Sequence, residues 1–297
     1  MKNFLKYYYD IDANDIHHSG KKYYFNLNSY LYTLLPYYGS QEYLDNLYSF
    51  CSQLSQQGIY FNLILKNKFQ KILTPIENVN YILICSLDNL DKNIEYKDIL
   101  NFTNYYLSNG KLDSSNWKEL WKNKIDYFEY QLNQLGYKYP LLRESFGYFA
   151  GYVENAIMLL NFINVDKNNL VLSHKRINKN YKLYDLYDPF NMILDYRVRD
   201  MAEYLKSDIL NSNLFEKTIE HLKLMKLKNY EYSLFFIRLL YPSFYFDVFE
   251  EIIDNELDEK DIIPIIEKTI AYENLIKKIY KVILPLSNLP NIEWLSY

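Results

Sequence analysis

Leu170-Val-Leu-Ser-His174-Lys175-Arg176, and after a polar turn Tyr187-Asp188-Pro-Phe190-Asn-Met-Ile-Leu-Asp195-Tyr-Arg197-Val-Arg199-Asp200-Met-Ala202-Glu-Tyr-Leu205, is the stretch on which the reading of this chain turns. A short apolar run bounded by polar residues reads as a buried strand. This one delivers a histidine and two cations into a loop. The second apolar run ends on an acid, and a helix begins after another acid. The layout is that of a phosphotransfer site in which several of the required groups have been replaced.

Upstream, the residues change period. From Phe4 to Pro36 aromatics alternate with polar residues, as in Lys22-Tyr-Tyr-Phe-Asn-Leu27, which predicts antiparallel strands. Ser40 is placed to cap a helix whose apolar stripe is Leu44, Leu47, Cys51 and Leu54, and Gly58 stands where a left-handed residue ends it. Strand signals return at Ile59 to Leu65, Lys71 to Thr74 and Tyr81 to Leu87. Asp91 to Asp98 reads as a charged connector. Asn116-x-x-Glu119 resembles a capping box for a helix through Leu135, and Ser145 to Phe162 reads as another, with Gly147 and Gly151 set for close packing. Further helices are predicted at 214–228, 232–240, 244–255 and 261–282. The expected architecture is α+β: residues 1–88 form a small antiparallel sheet with one helix, and residues 89–297 form a mainly helical second lobe. A hinge near Ile84 to Asn89 would leave a ligand cleft between them.

The totals narrow the function. The chain has 297 residues, 49% hydrophobic, with a net charge of -4, so it can bury a large core. Mild acidity argues against nucleic acid, which calls for a basic face. No segment offers the roughly 20 uninterrupted apolar residues of a membrane span. Cys51 and Cys85 lie in apolar runs and are expected to be reduced and buried, as in a cytoplasmic protein. The 34 tyrosines accord with an AT-rich coding bias, and alternatively with a surface for cross-linking or assembly.

The two-lobed layout and the central stretch together resemble the aminoglycoside phosphotransferase and choline kinase-like superfamily, with a protein-kinase-like fold. Arg238-Leu-Leu-Tyr-Pro-Ser-Phe-Tyr-Phe-Asp247 and Pro290-Asn-Ile-Glu-Trp-Leu295 look like its spore-coat (CotS-like) branch. The resemblance implies a His-x-Asp catalytic loop followed by an Asn. Here His174 matches, Arg176 stands at the catalytic Asp position and Tyr181 at the Asn position. The metal-binding acid falls on Asp188, and Phe190 replaces a second acid. Asp200-Met-Ala202 matches the start of the next helix, where the aspartate braces the loop; His174 is likewise a brace.

A guanidinium cannot accept a proton from an acceptor hydroxyl, and one remaining acid is a poor cage for two magnesium ions. Lys and Arg are absent between Lys22 and Lys66, so the strand entering the Ser40 helix, around Tyr32, lacks a phosphate anchor. No two of the seven glycines form a phosphate-cradling loop. The expectation is therefore a degenerate, kinase-shaped scaffold or interaction protein that uses no cofactor. It would have a protein partner, be made in the cytoplasm, and enter the spore coat as the resemblance implies. The alternative is a phosphotransferase using ATP, magnesium, Asp188 and a rearranged lysine on a small hydroxyl substrate. Three of the five arginines, Arg176, Arg197 and Arg199, crowd this one stretch. They either form an anion site or pair with Asp188, Asp195 and Asp200. His17, His18 and His221 read as surface residues, and the acidic run Glu250 to Glu259 as a solvated face able to meet a basic partner.

Overall fold

In the computed structural model, residues 1–103, 116–163, 170–178, 180–207 and 214–296 are described; Gly110 lies outside them. The chain forms two compact units. Met1–Ile94 groups with Asn180–Met192, and the remaining described residues make the other.

The first unit opens with helix α1 (Lys2–Tyr9), then β1 (His17–Ser19), β2 (Lys22–Leu27), β3 (Tyr30–Pro36), α2 (Gln41–Gln56), β4 (Leu63–Leu65), β5 (Thr74–Ile76) and β6 (Val79–Leu87). The strands make one sheet in the order β1-β2-β3-β6-β4, with β5 also paired to β6. All these pairings are antiparallel. β6 lies between β3 and β4 and is buried without interruption from Tyr81 to Ser86, so it reads as an apolar run rather than an alternation. α1 is a helix where the alternation predicted a strand. Leu5 is its one buried residue, and Asp10 ends it in the left-handed conformation. At α2, Ser40 Oγ accepts from Tyr43 N at 3.2 Å. Gly58, at φ +79°, closes it: Gly58 N and Ile59 N donate to Ser55 O and Leu54 O, a pattern that favours glycine.

The second unit contains α3 (Tyr96–Phe102), α4 (Trp117–Leu135), α5 (Pro140–Leu160) and β7 (Leu170–His174). The chain then forms α6 (Leu183–Leu186) within the first unit and returns at β8 (Met192–Tyr196), which pairs with β7. It continues through α7 (Arg199–Lys206), α8 (Leu214–Met225), α9 (Asn229–Leu240), α10 (Ser243–Ile253), α11 (Ile263–Ile266), α12 (Thr269–Ile283) and α13 (Glu293–Ser296). α3 takes up the last residues of the expected Asp91–Asp98 connector and is begun by a reciprocal Glu95–Asp98 capping box. Asn116 does occupy the cap position of α4, yet its side chain makes no cap bond; burial of Trp117, Trp121, Ile125 and Phe128 holds that helix in place. The glycine pair on α5 is also corrected: a Cβ at Gly147 or Gly151 would meet nothing within 4 Å. The unit's core centres on α5 and α9, and α9 is buried at every residue from Ser233 to Leu240. Among the described residues, no helix is long and apolar enough to cross a membrane.

Candidate functional site

In the second unit β7 ends on His174, which is buried. Asp200, at the start of α7, holds it twice: Oδ1 accepts from the His174 backbone N–H at 3.1 Å and Oδ2 lies 2.6 Å from Nδ1. The Phe102 ring packs against the imidazole. Arg199, the neighbour of Asp200, faces the same loop. Its Nε and Nη2 donate to the carbonyls of His174 and Lys175, and its Nη1 donates to Asp195 Oδ2 at 2.6 Å. Asp195 is fully buried at the end of β8 and also accepts from Trp117 Nε1 and the Tyr196 N–H. Thus β7, β8 and the first turn of α7 are cross-linked around one loop. A buried carboxylate requires this many donors.

The expected pairing of the arginines with Asp188, Asp195 and Asp200 is seen between Arg199 and Asp195. Arg176 reaches α10, where its Nη1 forms an ion pair with Asp247. Arg197 leaves a buried Nε without a hydrogen-bond partner.

A second network, which the sequence reading missed, continues along α7. Glu203 accepts from Lys206 Nζ at 2.8 Å, from Arg238 Nε and from Ser243 Oγ at 2.7 Å. Lys206 also donates to the Tyr241 carbonyl at 2.8 Å. The Arg238 guanidinium lies near the rings of Trp117, Trp121 and Tyr241, an attractive arrangement for a desolvated cation. Burial alone would raise the Glu203 pKa, but Arg238, Lys206 and Arg199 outweigh it and hold the carboxyl well below its usual range. Burial, against the pull of Glu203, brings the Lys206 ammonium down to about 8. The run Arg238 to Asp247 therefore contributes Arg238, the Tyr241 carbonyl, Ser243 and Asp247 to ties with Glu203, Lys206 and Arg176. The visible signal was the rarity of arginine; the partners lie too far away in sequence to be read.

His221 is also corrected. It lies half-buried, stacked on Tyr96, with Nδ1 buried and unpartnered. Burial first, and Lys217 second, lower its pKa to about 4. His17 and His18 are exposed, on β1.

In the first unit, Asp188 caps its own turn: Oδ1 accepts from Phe190 N at 3.0 Å, and the Phe190 ring packs near Tyr37. Burial, with Asp188 nearby, pushes the Cys51 thiol up to about 12. Tyr181 uses its carbonyl to accept from Ile94 N. Asn62 Nδ2 donates to the Tyr184 carbonyl at 2.7 Å, and its N–H donates to that of Tyr187. Tyr60 Oη accepts from the Leu87 N–H at 3.0 Å, and the Tyr60 ring lies edge-on to Tyr187. Among the described residues, no three His, Cys, Asp or Glu side chains are grouped so as to hold a metal ion.

Residues 2–279 match the family described as spore coat putative kinase YutH. The chain belongs to that family. A curated relative, the endospore coat-associated protein YutH of Bacillus subtilis (strain 168), is 26% identical over 163 residues. That match covers 48% of this chain and 48% of the relative, so it spans about half of the relative's length. Among solved structures, a spectinomycin phosphotransferase in complex with ADP and spectinomycin aligns with TM-score 0.61 and 13% identity, covering 97% of this chain and 94% of that one. An aminoglycoside phosphotransferase from Alicyclobacillus acidocaldarius gives 0.65 at 9% identity, covering 94% and 95%. A choline/ethanolamine kinase family protein from Mesorhizobium loti gives 0.51 at 10%, covering 90% and 93%. The fold is kinase-like, as the central stretch implied.

Proposed function

We propose that this chain is a kinase-shaped protein that transfers no phosphate and serves as a scaffold or interaction protein, made in the cytoplasm and joined to the spore coat. One observation carries the reading. Arg176 stands where the resemblance places the catalytic carboxylate, and its guanidinium is ion-paired with Asp247. A guanidinium so placed can orient an anion but cannot take a proton from an attacking hydroxyl. The capping role of Asp188 and the absence of a cation on β3 support the same reading. The coat assignment rests on the family and on the Bacillus subtilis relative.

Thermal unfolding with ATP, with and without magnesium, tests it. A ligand at a hundredfold its dissociation constant adds about 2.7 kcal/mol to stability. An unchanged melting curve in both conditions is expected. A magnesium-dependent shift, accompanied by transfer of labelled γ-phosphate to any acceptor, would establish the phosphotransferase instead. A shift without magnesium would make the chain a nucleotide-binding protein.

A further inference from the structure

Two surface features outside the loop network are opposite in charge, and each exposes apolar side chains. The first is the loop after β4. Phe69 is 52% exposed at its tip and Tyr7 of α1 is 55% exposed beside it. Lys68 Nζ lies 3.6 Å from the Tyr7 ring centre, and the ring of Tyr8 packs near Phe69. Large aromatics exposed together need a reason.

The loop holding them is fixed. Asn67 is buried, and its Oδ1 accepts from the N–H groups of Phe69 and Lys71 at 2.9 and 3.1 Å. Its Nδ2 donates to Thr74 Oγ1 at 3.0 Å, while Lys68 N donates to the Tyr8 carbonyl at 2.8 Å. The ordering cost of presenting Phe69 is thus already met before any partner arrives. Lys66, Lys68 and Lys71 are all exposed around it, with no acid among residues 65–76.

The second feature is the turn after α10. Glu251, Asp254, Glu256, Asp258 and Asp261 are exposed there, relieved by one lysine, Lys260. Leu257 projects among them, 37% exposed. This turn is fixed too. Asn255 adopts φ +60°, and the N–H groups of Glu256 and Leu257 both donate to the Glu251 carbonyl, at 2.8 and 3.2 Å.

We infer that the aromatic-lysine loop of one copy of this chain receives the acidic turn of a second copy, with Leu257 seated against Phe69 and Tyr7 and the carboxylates facing Lys66, Lys68 and Lys71. The two patches differ, so a pair joined by one such contact leaves the turn free on one copy and the loop free on the other. Those free patches let further copies add head to tail. The association does not depend on whether the chain transfers phosphate.

Sedimentation velocity of the full chain across micromolar concentrations, at low and at high salt, tests this. The weight-average mass should rise with concentration and fall with salt as the charges are screened. Phe69→Ala, Lys68→Glu and Glu256→Lys should each weaken association at least about tenfold. They alter exposed side chains, so circular dichroism and melting should match the parent. Lys68→Glu and Glu256→Lys, each weak alone, should form a complex with one another when mixed, because each supplies the charge the other has reversed. A parent chain that stays monomeric overturns the inference, as does Phe69→Ala associating like the parent. A monomer that binds anionic lipid vesicles through Phe69 would overturn it in favour of a membrane surface.

Discussion

Asp200 shows how much one carboxylate can hold, accepting from both the backbone and the ring of His174 in a fully buried setting. Asp200→Ala leaves both donors unsatisfied, and a loss of about 3 kcal/mol or more is expected in urea melts. Glu203 acts with Lys206 and Arg238 in the same way. Glu203→Gln leaves two buried cations underpaired, for a loss of about 3–5 kcal/mol. The Glu203 carboxyl is held below its ordinary value of 4.5. Its stabilisation is therefore present above that pH and disappears as pH falls further. His221 acts in a higher window. Unfolded imidazole titrates near 6.5, and in the fold near 4. Between these values the unfolded chain binds more protons, so stability should fall as pH drops from 6.5 towards 4. His221→Phe should flatten that part of the profile, measured by urea midpoints across the range. The spacing of His174 and Asp200 was legible because both sit at element ends. The partner of Arg176 was not, since nothing in a linear sequence brings residue 247 beside residue 176.

At the level of elements, local chemistry was readable and packing was not. Ser40 and Gly58 mark α2 through backbone bonds that involve only near neighbours. Gly58→Ala forces a side chain into the left-handed region and should cost about 1 kcal/mol in thermal melts. Gly147 gives the opposite expectation. It lies exposed in mid-helix with open space where a Cβ would go, so Gly147→Ala should stabilise by about 0.5–1 kcal/mol. α1 was misread because tyrosines beside lysines alternate as readily in a helix as in a strand over so few residues. α3 was missed because its charges suggested a linker, although Glu95 and Asp98 carry the capping pattern.

For the whole molecule, the apolar weight falls on the second unit, where α9 is sheathed on all sides. Its amides should exchange with deuterium more slowly than those of β1, whose three residues are all exposed. The change of period near residue 88 announced a sheet followed by helices, since strand and helix repeats differ in the residues themselves. The grouping of Asn180–Met192 with the first 94 residues was hidden, because it depends on backbone bonds such as Asn62 to Tyr187 and Leu183 to Lys92. That return has a genetic consequence. A single recombination crossover that exchanged the first 94 codons between diverged relatives would import one side of those bonds while leaving the other behind. Viable chimaeras should therefore carry both stretches from the same parent.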